Sequence, residues 1–307
     1  MKKNRNSFNL FIIILVINNN CYAQKQIIPI WNNNIPGEIK NSTYIENEVF
    51  KDSILQKKYT VTNPTITVYK PKNPNGTSVL IFPGGGYGHL SMEKEGSKIA
   101  EWLNSIQITA FVVKYRLPSD LIMVDKTIGP LQDAQQALKI VRKNAKNWKL
   151  DENKIGVIGF SAGGHLASTL ATKFNEKTYT PIDTISARPN FVMLIYPVIS
   201  MKPEITHLGS KTNLLGENPT ALLVDNFSNE NNVTIETPST FIVHASDDKS
   251  VSVMNSINYY LALKEKKIDA ELHIYEKGGH GFGLGTNETS QFWTIDCFNW
   301  LKKHNFL

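Results

Sequence analysis

The feature that most constrains this chain is the run from Lys154 to Thr172. An apolar, strand-like segment, Lys154 to Phe160, passes into Gly159-Phe160-Ser161-Ala162-Gly163-Gly164 and then into a helical stretch, His165 to Thr172. A G-x-S-x-G pattern between strand and helix makes a sharp turn with the serine at its apex. Such a turn holds Ser161 in a strained backbone conformation, at a cost of about 1–3 kcal/mol. Glycines at 159 and 163 let strand and helix approach, because a side chain there would meet the neighbouring backbone. The hydroxyl is then projected above the sheet, at the start of a helix whose dipole favours developing negative charge. Taken alone, the pattern also fits an ordinary glycine-rich turn or a phosphate-binding loop.

Three further elements give the serine chemical company. The apolar run Ser78 to Phe82 ends in Pro83-Gly84-Gly85-Gly86-Tyr87. Consecutive glycines can turn backbone N–H groups into a cavity, and an acyl-transfer site needs two or three such donors where a carbonyl oxygen becomes an anion. Gly85 and Gly86, with the amide of Ala162, are the predicted oxyanion donors. A nucleotide loop is the alternative, but no G-K-[ST] follows and no G-x-G-x-x-G can be read from residue 84. Among seven histidines, His280 in Gly278-Gly279-His280-Gly281-Phe282-Gly283 has no apolar neighbours to pack with and is the predicted base. His165 reads as packing beneath the turn, His244 and His273 as strand residues, His89 as following the glycine loop, and His207 and His304 as surface residues. The orienting carboxylate belongs at a strand end between Ser161 and His280, where Asp247 and Asp248 are adjacent. Asp248 is favoured because the loop then reads D-x-x-V into Val251 and the next helix, with Asp247 as the alternative.

The remaining pattern frames these residues. Short apolar runs at Thr109 to Lys114, Phe191 to Tyr196, Ser239 to His244 and Glu271 to Tyr275 resemble strands buried on both faces of a parallel sheet. Between the runs lie helical stripes: Ile99, Trp102, Leu103 and Ile106; Leu131, Ala134, Leu138 and Val141; Ile257, Tyr260, Leu261 and Lys264. Alternating strand and helix predicts an α/β fold, a mostly parallel central sheet with helices on both faces. The strand-like stretch Tyr59 to Tyr69 would form an antiparallel edge. Residues 24–58, rich in Asn, Pro and Gly, read as an N-terminal arm over a single domain spanning 59–307.

Residues 1–23 carry Lys2, Lys3 and Arg5, a short apolar run from Leu10 to Ile17, and Cys21-Tyr22-Ala23. This is the layout of a signal peptide cleaved after Ala23. The apolar run is about half the ~20 residues that span a bilayer, so no stable membrane insertion is expected after cleavage. Lipidation at Cys21 is the weaker alternative, since Asn18, Asn19 and Asn20 stand where small or branched apolar residues belong. Cleavage would lower the formal charge from +6 to +3 and leave Cys297 as the single cysteine, on a helix face with Trp293, Trp300 and Leu301. A charge that small gives no argument for a nucleic-acid partner. Two cysteines exclude a disulfide scaffold, and no C-x-x-C or H-E-x-x-H offers zinc-ligand spacing.

The order Ser161, Asp248, His280 is that of the α/β-hydrolases, and the chain resembles that superfamily. More narrowly it is similar to secreted bacterial esterases that include acetylxylan esterases and feruloyl-esterase-like hydrolases. The resemblance is carried by Pro83 to Tyr87, Val113-Lys114-Tyr115-Arg116-Leu117, Leu131-Gln132-Asp133-Ala134, Gly159 to Ala167, Tyr196-Pro197-Val198 and Gly279-His280-Gly281-Phe282. Many members carry His where this chain has Pro83, and Pro there points to the acetyl-esterase-like branch. The resemblance implies a serine esterase with Ser161 as nucleophile, His280 as base and Asp248 as its orienting acid, and with no cofactor or metal. It implies an acetylated plant polysaccharide such as xylan, or its oligomers, as the substrate. The competing readings are a general carboxylesterase or lipase-like hydrolase and, of a different class, a non-catalytic binding module on the same fold.

Overall fold

The computed structural model describes residues 26–32, 34–180 and 183–307. The predicted signal segment 1–23, Cys21 included, lies outside them. Eleven strands occur among the described residues: β1 (Ile27–Pro29), β2 (Asn47–Lys51), β3 (Ile54–Tyr59), β4 (Thr65–Tyr69), β5 (Ser78–Phe82), β6 (Leu90–Ser91), β7 (Thr109–Lys114), β8 (Ile155–Phe160), β9 (Phe191–Ile195), β10 (Ser239–Ala245) and β11 (Ala270–Tyr275). The α-helices are α1 (Lys98–Ser105), α2 (Gly129–Lys143), α3 (Ala145–Trp148), α4 (Ala162–Lys173), α5 (Leu208–Leu215), α6 (Ala221–Asn226), α7 (Met254–Glu265) and α8 (Trp293–Lys303). The main sheet runs β1-β4-β7-β5-β8-β9-β10-β11, and a small sheet runs β2-β3-β6. From β7 to β11 all neighbours in the main sheet are parallel, whereas β1 and β4 are antiparallel at one edge.

The apolar runs become strands because both faces of the sheet are covered. In β5, Leu80 and Phe82 join one core, while Val79 and Ile81 join the other. The first core takes the stripe of α2 (Leu131, Ala134, Leu138, Val141), together with Leu166 and Leu170 of α4. The second takes Ile99 and Leu103 of α1 and Trp293, Cys297, Trp300 and Leu301 of α8. Each fully buried aliphatic or aromatic side chain contributes about 1.5–3 kcal/mol by leaving water. Cys297 is fully buried, and burial pushes its thiol well above the ordinary range.

Three local expectations are corrected. The stretch 24–58, read as an arm, contains β1, β2 and most of β3. Its short polar strands lack a clear period because β2 is fully exposed, β3 is only half-buried and β1 has only three residues. Tyr59 to Tyr69 is likewise two strands in different sheets, separated at Thr60, whose φ is +50°. In α7 the buried positions are Asn255, Ser256, Tyr259 and Leu263, while Leu261 is 58% exposed. The polar residues turn inward because they have buried partners: Asn255 Oδ1 accepts from the amides of Ile199 and Ser200, each at 2.9 Å.

Candidate active site

Steric exclusion by backbone shapes the turn after β8. Ser161 adopts φ +51° and ψ −119°, where few residues other than glycine are found. A Cβ on Gly163 would lie 2.1 Å from the carbonyl oxygen of Phe82, and one on Gly159 would lie 2.2 Å from that of Gly163. Glycine at both positions therefore lets α4 begin directly against β5 and β8. Ser161 Oγ is left within 2.9 Å of His280 Nε2.

His280 stands in the loop after β11, and its Nδ1 lies 2.7 Å from Asp248 Oδ2. The Asp248 side chain has no solvent exposure. Burial raises the affinity of its carboxylate for a proton. Hydrogen bonds from His244, His280 and the Val251 amide outweigh that and hold its pKa well below the usual carboxylate range. Its other oxygen accepts from the amides of Ser250 and Val251, each at 2.9 Å. Asp247 faces elsewhere. Its Oδ1 accepts from the amides of Gly278 (3.0 Å) and Gly279 (2.8 Å), bracing the loop that carries His280. Of the two adjacent carboxylates, one meets the imidazole and the other holds the backbone that presents it.

Gly85, Gly86 and Ala162 lie around the serine. Gly85 and Gly86 have φ of +128° and +62°, and both line the same cavity as Ser161. Ala162 follows the serine as the first residue of α4. Among the described residues none accepts a hydrogen bond from these three amides. The amide of Gly84, by contrast, is taken: it donates to Glu95 Oε2 at 2.8 Å. Glu95 is buried, and its Oε1 accepts from the Tyr196 hydroxyl at 2.9 Å, which itself accepts from the amide of Gly283 at 3.0 Å. One carboxyl thus ties the glycine loop to the loop of His280. Burial raises the Glu95 pKa, against the hydrogen bonds from Tyr196 and Gly84.

Of the other histidines, His165 and His244 brace the surrounding loops, whereas His89 and His207 line the cavity. His165 Nδ1 lies 2.8 Å from the Tyr87 hydroxyl and Nε2 lies 2.8 Å from the Phe227 carbonyl. Since a carbonyl can only accept, the proton sits on Nε2 and Tyr87 donates to Nδ1. Burial pushes the pKa of this ring down to about 4. His244 pairs with Ser256 Oγ at 2.7 Å and approaches Asp248 Oδ2 at 3.3 Å. His207, read from the sequence as a surface residue, lines the cavity with Ser161 and His280. The segment 206–234, which joins β9 to β10 and carries α5 and α6, contains Phe227, and this ring is buried in the core. No local signal marks Glu95 or His207, since each acquires its role from partners distant in the chain.

The cavity above Ser161 has a volume of about 490 Å³. Its described lining is Gln56, Lys57, Gly85, Gly86, His89, Ser91, Glu93, Lys94, Glu95, Lys98, Ser161, His207, Ser250, His280 and Gly281, with no aliphatic, Phe, Tyr or Trp side chain. Among the described residues no group of three or more His, Cys, Asp or Glu could hold a metal ion, and no helix is long and apolar enough to cross a membrane.

Strand order and the serine, histidine and aspartate at their strand ends define an enzyme of the α/β-hydrolase superfamily. Solved relatives share the architecture: an acetyl ester-xyloside bifunctional hydrolase from Caldicellulosiruptor lactoaceticus superposes with a TM-score of 0.77 at 38% identity, covering 92% of this chain and 97% of that one. Residues 66–263 match the BD-FAE family, and the chain belongs to it. An acetylxylan esterase of Xylanibacter ruminicola is 40% identical over 243 residues, 76% of this chain and 47% of that protein. An endo-1,4-beta-xylanase B of Butyrivibrio fibrisolvens is 36% identical over 219 residues, 70% of this chain and 34% of that protein. The chain thus spans less than half the length of these curated relatives.

Proposed function

We propose that the chain is an exported serine esterase that removes O-acetyl groups from xylan or xylo-oligosaccharides. The observation that carries this reading is the cavity. A site of about 490 Å³ lined by no aliphatic, Phe, Tyr or Trp residue has room for a small acyl group and many partners for hydroxyls, and it offers a long acyl chain only histidine rings and the stems of polar side chains to pack on. The names of the relatives agree with it, and export rests on the composition of residues 1–23.

In this reading Ser161 Oγ attacks the ester carbonyl while His280 Nε2 takes its proton. Asp248 holds the ring through Nδ1 and offsets the positive charge that forms. The amides of Gly85, Gly86 and Ala162 receive the developing oxyanion, each worth about 2.7–4 kcal/mol of transition-state stabilisation. His280 returns the proton to the departing sugar oxygen, leaving an acetyl-serine. Water, deprotonated by the same ring, then releases acetate. The sequence of steps requires no metal or organic cofactor.

The test is a substrate series on the full chain: acetylated xylo-oligosaccharide and the p-nitrophenyl esters of acetate, butyrate and octanoate. Acetate is expected to be the preferred acyl group, and Ser161→Ala to abolish turnover while leaving the circular dichroism spectrum unchanged. Preference for octanoate would overturn the acetyl assignment, and full activity in Ser161→Ala would overturn the nucleophile.

A further inference from the structure

Helix α5 rests on the glycine loop through two residues. Asn213 Nδ2 donates to the carbonyl of Gly86 at 2.8 Å. His207, at the N-cap of the helix, lies with its ring over Gly86, so that a Cβ placed on that glycine would be 3.5 Å from the ring's Cε1. Nδ1 is turned back into the first turn of α5. There it accepts from the amide of Ser210 at 3.1 Å and lies 2.9 Å from Ser210 Oγ.

These contacts determine where the ring carries its proton. A nitrogen that accepts a backbone N–H has none of its own, so the neutral imidazole is protonated on Nε2. Burial and, next to it, His280 keep the pKa of His207 below its ordinary value, with Asp248 acting in the opposite direction. Among the described residues Nε2 has no hydrogen-bond partner, although His207 borders the same cavity as Ser161 and His280. A neutral N–H donor therefore stands at the cavity wall beside Gly86. The acyl oxygen already has three backbone donors in Gly85, Gly86 and Ala162, which leaves this one for another part of the substrate.

We propose that His207 is a specificity residue whose Nε2–H donates a hydrogen bond to an oxygen of the alcohol half of the ester, selecting hydroxyl-bearing alcohols over plain alkyl ones. The inference rests on the esterase reading above but not on xylan as the particular substrate.

The experiment compares kcat/KM for glycerol monoacetate, whose alcohol carries hydroxyls, and ethyl acetate, whose alcohol does not, in the wild-type full chain and two variants. His207→Asn keeps an acceptor for the Ser210 amide but is too short to donate into the cavity. His207→Gln places an amide N–H near the position of Nε2 while losing the cap. The glycerol-to-ethyl selectivity should fall about tenfold in His207→Asn, as expected for one lost neutral hydrogen bond, and recover at least in part in His207→Gln. Equal losses on both esters, no loss on either, or selectivity kept by Asn and lost by Gln would each overturn the proposal. The last pattern would make His207 a helix cap alone. Acetylated xylobiose is run beside them: its rejection by a wild-type chain that cleaves glycerol monoacetate would overturn the xylan assignment and leave the His207 comparison standing.

Discussion

The turn that carries Ser161 and the segment 206–234 both border the cavity above Ser161, yet they are held in different ways. Every residue from Ile155 to Ala171 is buried, and glycine is required where backbone oxygens stand about 2 Å from any added carbon. In the 206–234 segment most residues are exposed or half-buried. Its helices bury a few apolar residues, Leu214, Leu215 and Val224, in the core and add separate polar contacts: Asn213 to Gly86, His207 to Ser210 and the Leu223 amide to the Thr220 hydroxyl. Excluded volume admits no partial substitute, whereas a hydrogen bond at the surface can be exchanged for another at little cost. Ser161 is thus placed by contacts that admit no substitute, whereas the exposed polar contacts of the neighbouring segment can be exchanged at little cost to the fold.

Substitutions test that contrast, beginning with the largest expected effect. Asp248→Asn should lower kcat by about 10³–10⁴ with folding intact, since the ring loses both its orientation and its charge partner. Asp247→Asn, which only weakens the brace on Gly278 and Gly279, should cost far less, and the reverse order in steady-state kinetics would exchange the two roles. Gly163→Ala should destabilise the chain by more than about 3 kcal/mol in urea unfolding, because the added methyl meets backbone oxygens of Phe82 and Pro83. A melting temperature within a degree or two of wild type would show that the turn can relax after all.

Acid stability probes the junction of the two regions. His165 of the turn's helix joins Tyr87 of the glycine loop to Phe227 of the 206–234 segment. The folded chain keeps this ring neutral down to about 4, whereas the unfolded chain protonates it near 6.5. Its contribution is therefore fully present above 6.5 and is lost as the pH falls from there toward 4, by a few kcal/mol in all. Urea midpoints at pH 7 and 4.5 should differ less in His165→Gln than in wild type. The smallest effect belongs to Asn213→Ala, in the exchangeable region. It should change stability by less than about 1 kcal/mol and reduce kcat/KM only a few-fold, and a loss as large as that of Gly163→Ala would erase the contrast.

The same contrast explains what could be read from the sequence. Strand β5 and the core of β8, the Ser161 turn, the glycine loop and the placement of His280 follow from local rules: runs buried on both faces, and glycines where backbones meet. Asp248 could be preferred over Asp247 from its spacing to Val251, but the division of labour between them needed the folded loop. The roles of Glu95 and His207 were not legible, because each depends on contacts made across long stretches of chain. The buried face of helix α7 differs from its apolar stripe for a related reason. Asn255 and Ser256 look like surface residues until the groups they satisfy, the amides of Ile199 and Ser200 and the ring of His244, are brought to them.

Strand β1 has a consequence of another kind. Its three residues, Ile27–Pro29, pair with β4 through Ile27–Thr67, Ile28–Ile66 and Pro29–Thr65, and so close one margin of the main sheet. Pro29 has no N–H to offer a stranger, and a strand this short is a poor template for further pairing. Without it, the outer row of N–H and C=O groups on β4 would face water beside Ile66, which is now fully buried. A chain shortened past these few residues, which lie far from Ser161, is therefore expected to pair with its own copies through the opened edge of β4 while the site around Ser161 stays intact.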